Sequence, residues 1–402
     1  MHLRALGNGH DGEHRGYGEA QDATDGAAAV VSGHGGVADE ERWYIRWGTY
    51  RDASFGRIQR YRCRHCGLCF SEMSFSIDYA VKRKLDYRRL EALLCEGSGV
   101  RALARLLGAS TETIANRLGR LGRSSLAVQA ALEPRLLHTE ALAFDGFRSF
   151  SVSQHAPCDI TILVGSESEY LYGFDFAPLR RGGAMRPDQR RSRERFERLL
   201  RAGRRAVEYS ARRIYDYVAA TMELPPAAPP RVITSDRHYA YRDAWRKHPA
   251  MRHLSARRWL LHRTVSSRAL RTAANPLRPV NYFDREIRKD LAEHRRETVC
   301  FARSPAAMLL RFAVYVAHHN LHKPKRIRET RSVGAAEATL RSHAVAAGVS
   351  PSVVAGLRIV RFTSRPFLAR AGLRPFAELV WTAAIPTPPH GRRMKLPAHA
   401  LA

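Results

Sequence analysis

Two aspartates stand where short apolar runs give out. Asp145 lies in Leu142-Ala-Phe-Asp-Gly, flanked by Phe147 and Phe150, and Asp236 closes Arg231-Val-Ile-Thr-Ser-Asp, 91 residues later. Apolar runs of this length read as short buried strands. A carboxylate at the end of such a strand is costly to desolvate and calls for a cation. Two of them, delivered by different strands to one end of a sheet, can hold divalent metal for phosphodiester chemistry. One strand-terminal Asp alone more often caps a helix or a turn.

A third group of polar residues lies on a helix expected from Pro279 to about Glu297. On it Asn281, Asp284 and Arg288 share one face at i, i+3 and i+7, while Glu286, Asp290, Glu293 and Glu297 form a different stripe. Only one stripe can face the aspartates. The other is expected to be a solvated face paired with neighbouring Arg.

Two further constellations precede the aspartates. Cys63-Arg-His-Cys66-Gly67 after a short strand is one knuckle of a zinc ribbon, where a tight turn aims two thiolates at one tetrahedral ion. A structural Zn²⁺ takes four ligands; the upstream pair is absent, His34 and His65 offer substitutes, and Cys69 supplies a third thiolate only if the loop refolds. Residues 85–126 then read as three helices, Leu85 to Leu94, Val100 to Leu107 and Glu112 to Leu121, with a turn at Gly108 and a cap at Ser110 or Thr111. That is the helix-turn-helix pattern, whose second helix would present Thr113, Asn116, Arg117 and Arg120 outward to DNA. An ordinary helical hairpin is the plain alternative.

The elements that must position the aspartates follow. Leu137 to Phe150, Asp159 to Val164 and Tyr170 to Phe176 read as strands. A basic stretch passes into a helix from Glu194 to about Thr221, ended by Pro225-Pro and Pro229-Pro230. The Arg231–Asp236 strand, a helix from Ala240 to Lys247, a strand near Leu254 to Leu261 and the Pro279 helix complete the series. Met308 to His319 is an apolar helix running into His318-His319-Asn320 and Lys323-Pro-Lys-Arg326.

The 402 residues suffice for two or three domains. A net charge of +29 and a pI near 10.8, carried almost wholly by Arg, point to a polyanionic partner, with nucleic acid ranking first. No apolar run reaches the 18 or so residues that span a bilayer, and no signal peptide is evident. Six cysteines without a secreted-type framework suit a reducing cytosol. The expected fold class is mixed α/β and multidomain. A disordered segment (1–40) precedes a small ribbon (41–80), a helical DNA-binding domain (81–130), an α/β catalytic domain (136–328) and an extension (329–402).

The chain resembles the bacterial insertion-sequence transposases of the zinc-ribbon, helix-turn-helix and ribonuclease H-like DDE type. The residues that carry the resemblance are Gln59-Arg-Tyr-Arg-Cys-Arg-His-Cys-Gly with Phe70-Ser71, Phe144-Asp145, Ile233-Thr-Ser-Asp236, Asn275-Pro-Leu with Asn281, Arg288 with Arg296-x-Thr298, and His319-Asn320 with Lys323-Pro324. They cover roughly residues 43–326, and their order and spacing make the set more specific than any member of it. The strand and helix order is that of a ribonuclease H-like domain, in which the strands bearing Asp145 and Asp236 are neighbours. Gly146 stands where related sequences often place an acid.

The resemblance implies that Asp145 and Asp236 bridge Mg²⁺ or Mn²⁺. It also implies a third residue seven positions before a basic one, here Asn281 before Arg288, which would contact DNA phosphate; Glu286 and Asp284 remain alternatives. It implies cleavage and strand transfer at the ends of an insertion sequence, double-stranded DNA as partner, a homodimer or higher oligomer on DNA, and a place in the bacterial cytoplasm at the nucleoid. The competing expectation is a catalytically inactive, transposase-derived DNA-binding protein that has lost the metal chemistry.

Overall fold

The computed structural model describes residues 44–133, 140–222, 229–295, 298, 300–325, 342–349, 373–389 and 391. The expected disordered segment, the strand start at Leu137, Glu297 and most of the C-terminal extension lie outside these residues. The chain divides into two compact units that meet between Lys84 and Leu85 along the sequence. The first holds a three-stranded antiparallel sheet of β1 (Tyr44–Asp52), β2 (Gly56–Cys63) and β3 (Cys69–Ser71) in that order. Its small core is an aromatic cluster, with Tyr61 stacked on Phe70 at 5.4 Å and Tyr44 edge-on to both.

The second unit is mixed α/β. It opens with three helices, α1 (Tyr87–Cys95), α2 (Val100–Leu106) and α3 (Thr111–Leu132). Asp86 caps α1 through the Arg88 and Arg89 amides, and Ser110 caps α3 through Thr113. A five-stranded sheet follows, built from β4 (Leu142–Phe150), β5 (Pro157–Gly165), β6 (Leu171–Pro178), β7 (Arg231–Asp236) and β8 (Leu260–Val265). Its order is β6-β5-β4-β7-β8; β4 pairs antiparallel with β5 and parallel with β7. The two aspartate-bearing strands are therefore central neighbours.

Three expected boundaries move. The single helix from Glu194 to Thr221 is two, α4 (Pro187–Leu199) and α5 (Ala206–Thr221), because Leu200 turns extended and Gly203 falls in the break. The strand near Leu254 begins later, since Pro249–Ala256 is a helix, α7, that follows α6 (Tyr239–Lys247); Arg258 then adopts a left-handed turn at φ +56° before β8. The helix expected to reach Glu297 ends at Asp290. This α8 (Arg278–Asp290) stops because Leu291 leaves helical backbone to bury its side chain.

The core helix is α9 (Pro305–Leu321), apolar and buried on nearly all sides, packed along α3 and against α1. Its C-terminal turn explains the His319-Asn320 motif structurally. The Asn320 amide accepts from the Leu171 N–H and donates to the Leu171 carbonyl, both at 2.9 Å. His319 Nε2 lies 3.0 Å from the Glu169 carbonyl, and its ring stacks on His343 at 3.9 Å.

The acidic stripe of α8 is not solvated, contrary to expectation. Glu286, Asp290 and Glu293 are buried. Lys323 and Lys289 pair with Glu286, Lys323 and the Tyr315 hydroxyl reach Asp290, and Arg311 grips Glu293 from within α9. Arg311 Nε stands 3.0 Å from both Glu293 oxygens. The stripe and Glu293 just beyond it face α9, and Lys323, Arg311 and the Tyr315 hydroxyl add to the pairing that Lys289 makes along α8 itself. No helix among the described residues is long and apolar enough to cross a membrane.

Candidate metal centre

The parallel register sets the centre. Leu142, Ala143 and Phe144 of β4 lie beside Ile233, Thr234 and Ser235 of β7. One step further along each strand stand Asp145 and Asp236, side by side where the sheet ends on β7. Adjacent strands run about 4.8 Å apart, so the two carboxylates emerge within reach of one ion or an ion pair. Asp236 Oδ1 accepts the His238 amide at 2.8 Å, which turns the chain into α6. From α6, Tyr241 points its hydroxyl back to Asp145 Oδ1 at 3.4 Å, and its ring lies 4.5 Å from that of Phe144.

Two further acids lie near enough to act electrostatically on this pair, although no three of the four bring their ligand atoms within 4.8 Å of one another. Asp159 reaches in from β5, where it is buried and opposite Arg148. Asp284 comes from α8, which packs across β4 and β5. Burial pushes the Asp145 carboxyl up to about 7, with the charge of Asp236 adding to it. Burial also lifts Asp159 to about 6, against the pull of Arg148. Asp284 is raised well above the usual carboxylate range, first by burial and then by the charge of Asp145, with Arg288 and Arg271 opposing. Buried acids that raise one another's pKa mark a place where a divalent cation would be stabilised.

Asp159 is there because Gly146 has no side chain. A Cβ on Gly146 would sit 2.6 Å from one Asp159 oxygen, closer to the other, and 2.6 Å from the Tyr241 hydroxyl.

Of the three residues considered for the third position, Asp284 is the one coupled to Asp145. Asn281 stands one turn earlier on the same face of α8, half-buried. Glu286 is turned away, held by Lys289 and Lys323. Arg288 lies with its guanidinium 4.5 Å over the Phe147 ring and donates to the carbonyls of Arg148 and His294. Much of its fork is therefore spent on the protein.

No protein-family model matches this chain, and neither does any curated protein. The functional reading therefore rests on the residues and their geometry.

The DNA-reading face expected on α3 is corrected. Arg117 and Arg120 are each only 6% exposed, and both guanidiniums donate to Asn116 Oδ1, at 2.8 and 3.1 Å. Thr113 is bound up in the Ser110 cap. The three helices do pack together. However, α3 runs 22 residues, not ten, and meets α9 through Gly122 and Gln129; Arg117 and Arg120 lie on its other side and are buried all the same. Exposed arginines occur instead on α4, whose Arg190, Arg191, Arg195 and Arg198 face solvent while Phe196 alone is buried.

At the knuckle, Gly67 takes φ +72° and closes the turn through its amide on the Cys63 carbonyl. Burial would raise the Cys63 thiol, but the Cys66 and His65 amides and the Cys66 side chain outweigh it and hold it below its usual value. Cys69 instead turns its sulfur toward the Gly67 carbonyl at 3.8 Å. Among the described residues, Cys63, Cys66, Cys69 and His65 do not form a set of three converging ligand atoms; His34 lies outside them.

Sequence reasoning missed Asp159. The one available signal was its place as the only carboxylate in the run Cys158-Asp-Ile-Thr-Ile.

Proposed function

We propose that the chain is a metal-dependent DNA transposase, a polynucleotidyl transferase that cuts the ends of an insertion sequence and joins them to target DNA. Its second unit would be a ribonuclease H-like catalytic domain carrying Asp145, Asp236 and Asp284, with Asp159 beside them. The observation that carries the reading is the juxtaposition of Asp145 and Asp236 on adjacent parallel strands at one end of a mixed sheet. An all-oxygen carboxylate set suits a hard cation, Mg²⁺ or Mn²⁺, and the raised carboxyls of Asp145, Asp159 and Asp284 are the charge such an ion would neutralise.

Bound divalent ions would supply Lewis acidity to the scissile phosphate and to the attacking hydroxyl. The chain does the rest. Asp145 and Asp236 would hold the ions from rigid strands, and the Tyr241 hydroxyl donates to the Asp145 carboxylate and so orients it. Asp284 takes the third position in preference to Asn281, since a carboxylate binds a hard cation more strongly than an amide. The exposed arginines of α4 offer phosphate contacts that hold the strand, through counterion release.

Incubation of the purified chain with DNA carrying the ends that flank its gene, with Mg²⁺, tests the reading. Nicked ends are expected, and Asp236→Ala should abolish nicking while end binding persists. Cleavage that survives Asp236→Ala would reject the site. Binding without any cleavage by the parent chain would favour the inactive DNA-binding relic.

A further inference from the structure

Away from the aspartates, three metal-ligating side chains from two helices meet at one point. Glu91 lies on the buried face of α1, and His318 and His322 stand one turn apart at the C-terminal end of α9. His318 Nδ1 and His322 Nδ1 lie 3.0 and 2.7 Å from the same atom, Glu91 Oε1. The three ligand atoms all fall within 4.8 Å of one another. Ligand atoms bound to a tetrahedral Zn²⁺ at about 2.0–2.2 Å stand about 3.3 Å apart. The two glutamate–histidine distances are a few tenths of an ångström short of that spacing, and the two imidazole nitrogens, within 4.8 Å of each other, would close toward it around an ion.

We propose that Glu91, His318 and His322 form a binding site for a divalent transition-metal ion of the Zn²⁺ type, which fastens α1 to the C-terminal turn of α9. The ligand set is two imidazole nitrogens and one carboxylate oxygen, a combination that suits Zn²⁺. This site is independent of the aspartate centre and of the reading given to it.

Three observations support it. Glu91 is only 4% exposed, and a buried carboxylate demands positive charge beside it. The site lies at the C-terminal end of α9, where the helix dipole favours a cation. The His318 side chain keeps 24% of its surface exposed, which leaves a path for the ion and room for water as a fourth ligand. Coordination through Nδ1 needs both imidazoles to carry their proton on Nε2. Without metal, the same Nδ1 atoms would donate to Glu91 as a simple hydrogen-bonded clasp.

The test uses the full chain with Cys66→Ser and Cys69→Ser, both exposed positions, so that the knuckle cannot assemble a thiolate site. The chain is stripped with a chelator, given excess Mg²⁺ to occupy the aspartates, and titrated with Co²⁺. One equivalent should bind, with a four-coordinate absorption spectrum and no thiolate charge-transfer band, and Zn²⁺ should displace it. His318→Ala and His322→Gln should each weaken binding by more than the roughly tenfold that even an outer-shell partner costs. The far-UV circular dichroism of each variant confirms its fold. Failure of the Cys66→Ser, Cys69→Ser chain to take up Co²⁺ overturns the proposal without reference to the histidine variants. Uptake that is unchanged in folded His318→Ala and His322→Gln overturns it as well, and leaves the hydrogen-bonded clasp.

Discussion

Gly146 and Asp159 share one volume across the β4–β5 pair: the missing side chain of the first is the space taken by the carboxylate of the second. In the proposed reading, the position where resembling transposases often carry an acid is served here from the neighbouring strand. Gly146→Ala should therefore cost about 1–3 kcal/mol of stability through overpacking and reduce strand cleavage at least tenfold. Asp159→Ala in the same chain should restore part of the stability. A denaturant melt of the single and double variants checks the coupling; strictly additive losses would mean the two residues do not compete for that space.

The third position separates by charge. Asp284→Asn should lower cleavage about a hundredfold or more, while Asn281→Ala should lower it by less than about fivefold, if the carboxylate is the ligand a hard cation prefers. Glu286→Gln should act on stability and not on the chemical step, because its partners are Lys289 and Lys323. Single-turnover cleavage of pre-bound DNA ends is the measurement, and the reverse ranking of Asp284 and Asn281 would return the assignment to Asn281.

Asp145 is raised in the folded chain to about 7, against an unfolded carboxylate near 3.9. The folded state thus holds the extra proton. This contribution to stability is complete below the unfolded value and is lost as pH rises through the folded one. In the absence of divalent metal, the chain should lose on the order of 1–3 kcal/mol from this group between about pH 4 and about pH 7. Asp145→Asn should flatten that part of the curve, and added Mg²⁺ should stabilise the chain most at the alkaline end. Denaturant unfolding across the range, with and without Mg²⁺, reads both effects.

The pair of Glu293 and Arg311 is buried on both sides. Removing one member leaves the other charge without compensation, so Glu293→Ala should destabilise by about 3–5 kcal/mol. The double replacement with apolar residues should recover most of that loss. Thermal unfolding of the three variants checks it.

On α4, Arg190→Ala with Arg191→Ala should weaken DNA binding. The slope of log affinity against log salt should fall by about one for each phosphate that an arginine no longer neutralises. Arg117→Ala and Arg120→Ala should act through stability, given their burial. A salt titration of binding to end and random DNA separates the two groups.

The strand positions were legible from short apolar runs, and the neighbouring of Asp145 and Asp236 was expected only through the resemblance to the ribonuclease H-like strand order. Asp159 was not, since its role depends on a glycine across a strand pair, and pairing register is invisible before the sheet is assembled. The orientation of Arg117 and Arg120 was misread for a related reason. Helical periodicity groups residues on a face, but which faces meet solvent depends on what packs there, and Arg117 and Arg120 are buried on the side of α3 away from its Gly122 and Gln129 contacts with α9. The acids of α8 failed in the same way: Glu286, Asp290 and Glu293 look like a wet stripe until Lys323 and Arg311 are folded against them. Glu91 and His318, 227 residues apart, leave no local trace at all.

The Asn320 amide binds both the N–H and the carbonyl of Leu171, as one residue of an added strand would. Because β6 is an outer strand of its sheet, this side chain acts as a stopper on the hydrogen-bonding rim at Leu171. A second copy cannot continue the sheet from the start of β6 without first displacing Asn320. Strand addition at this end of the sheet therefore gives up two hydrogen bonds before it gains any.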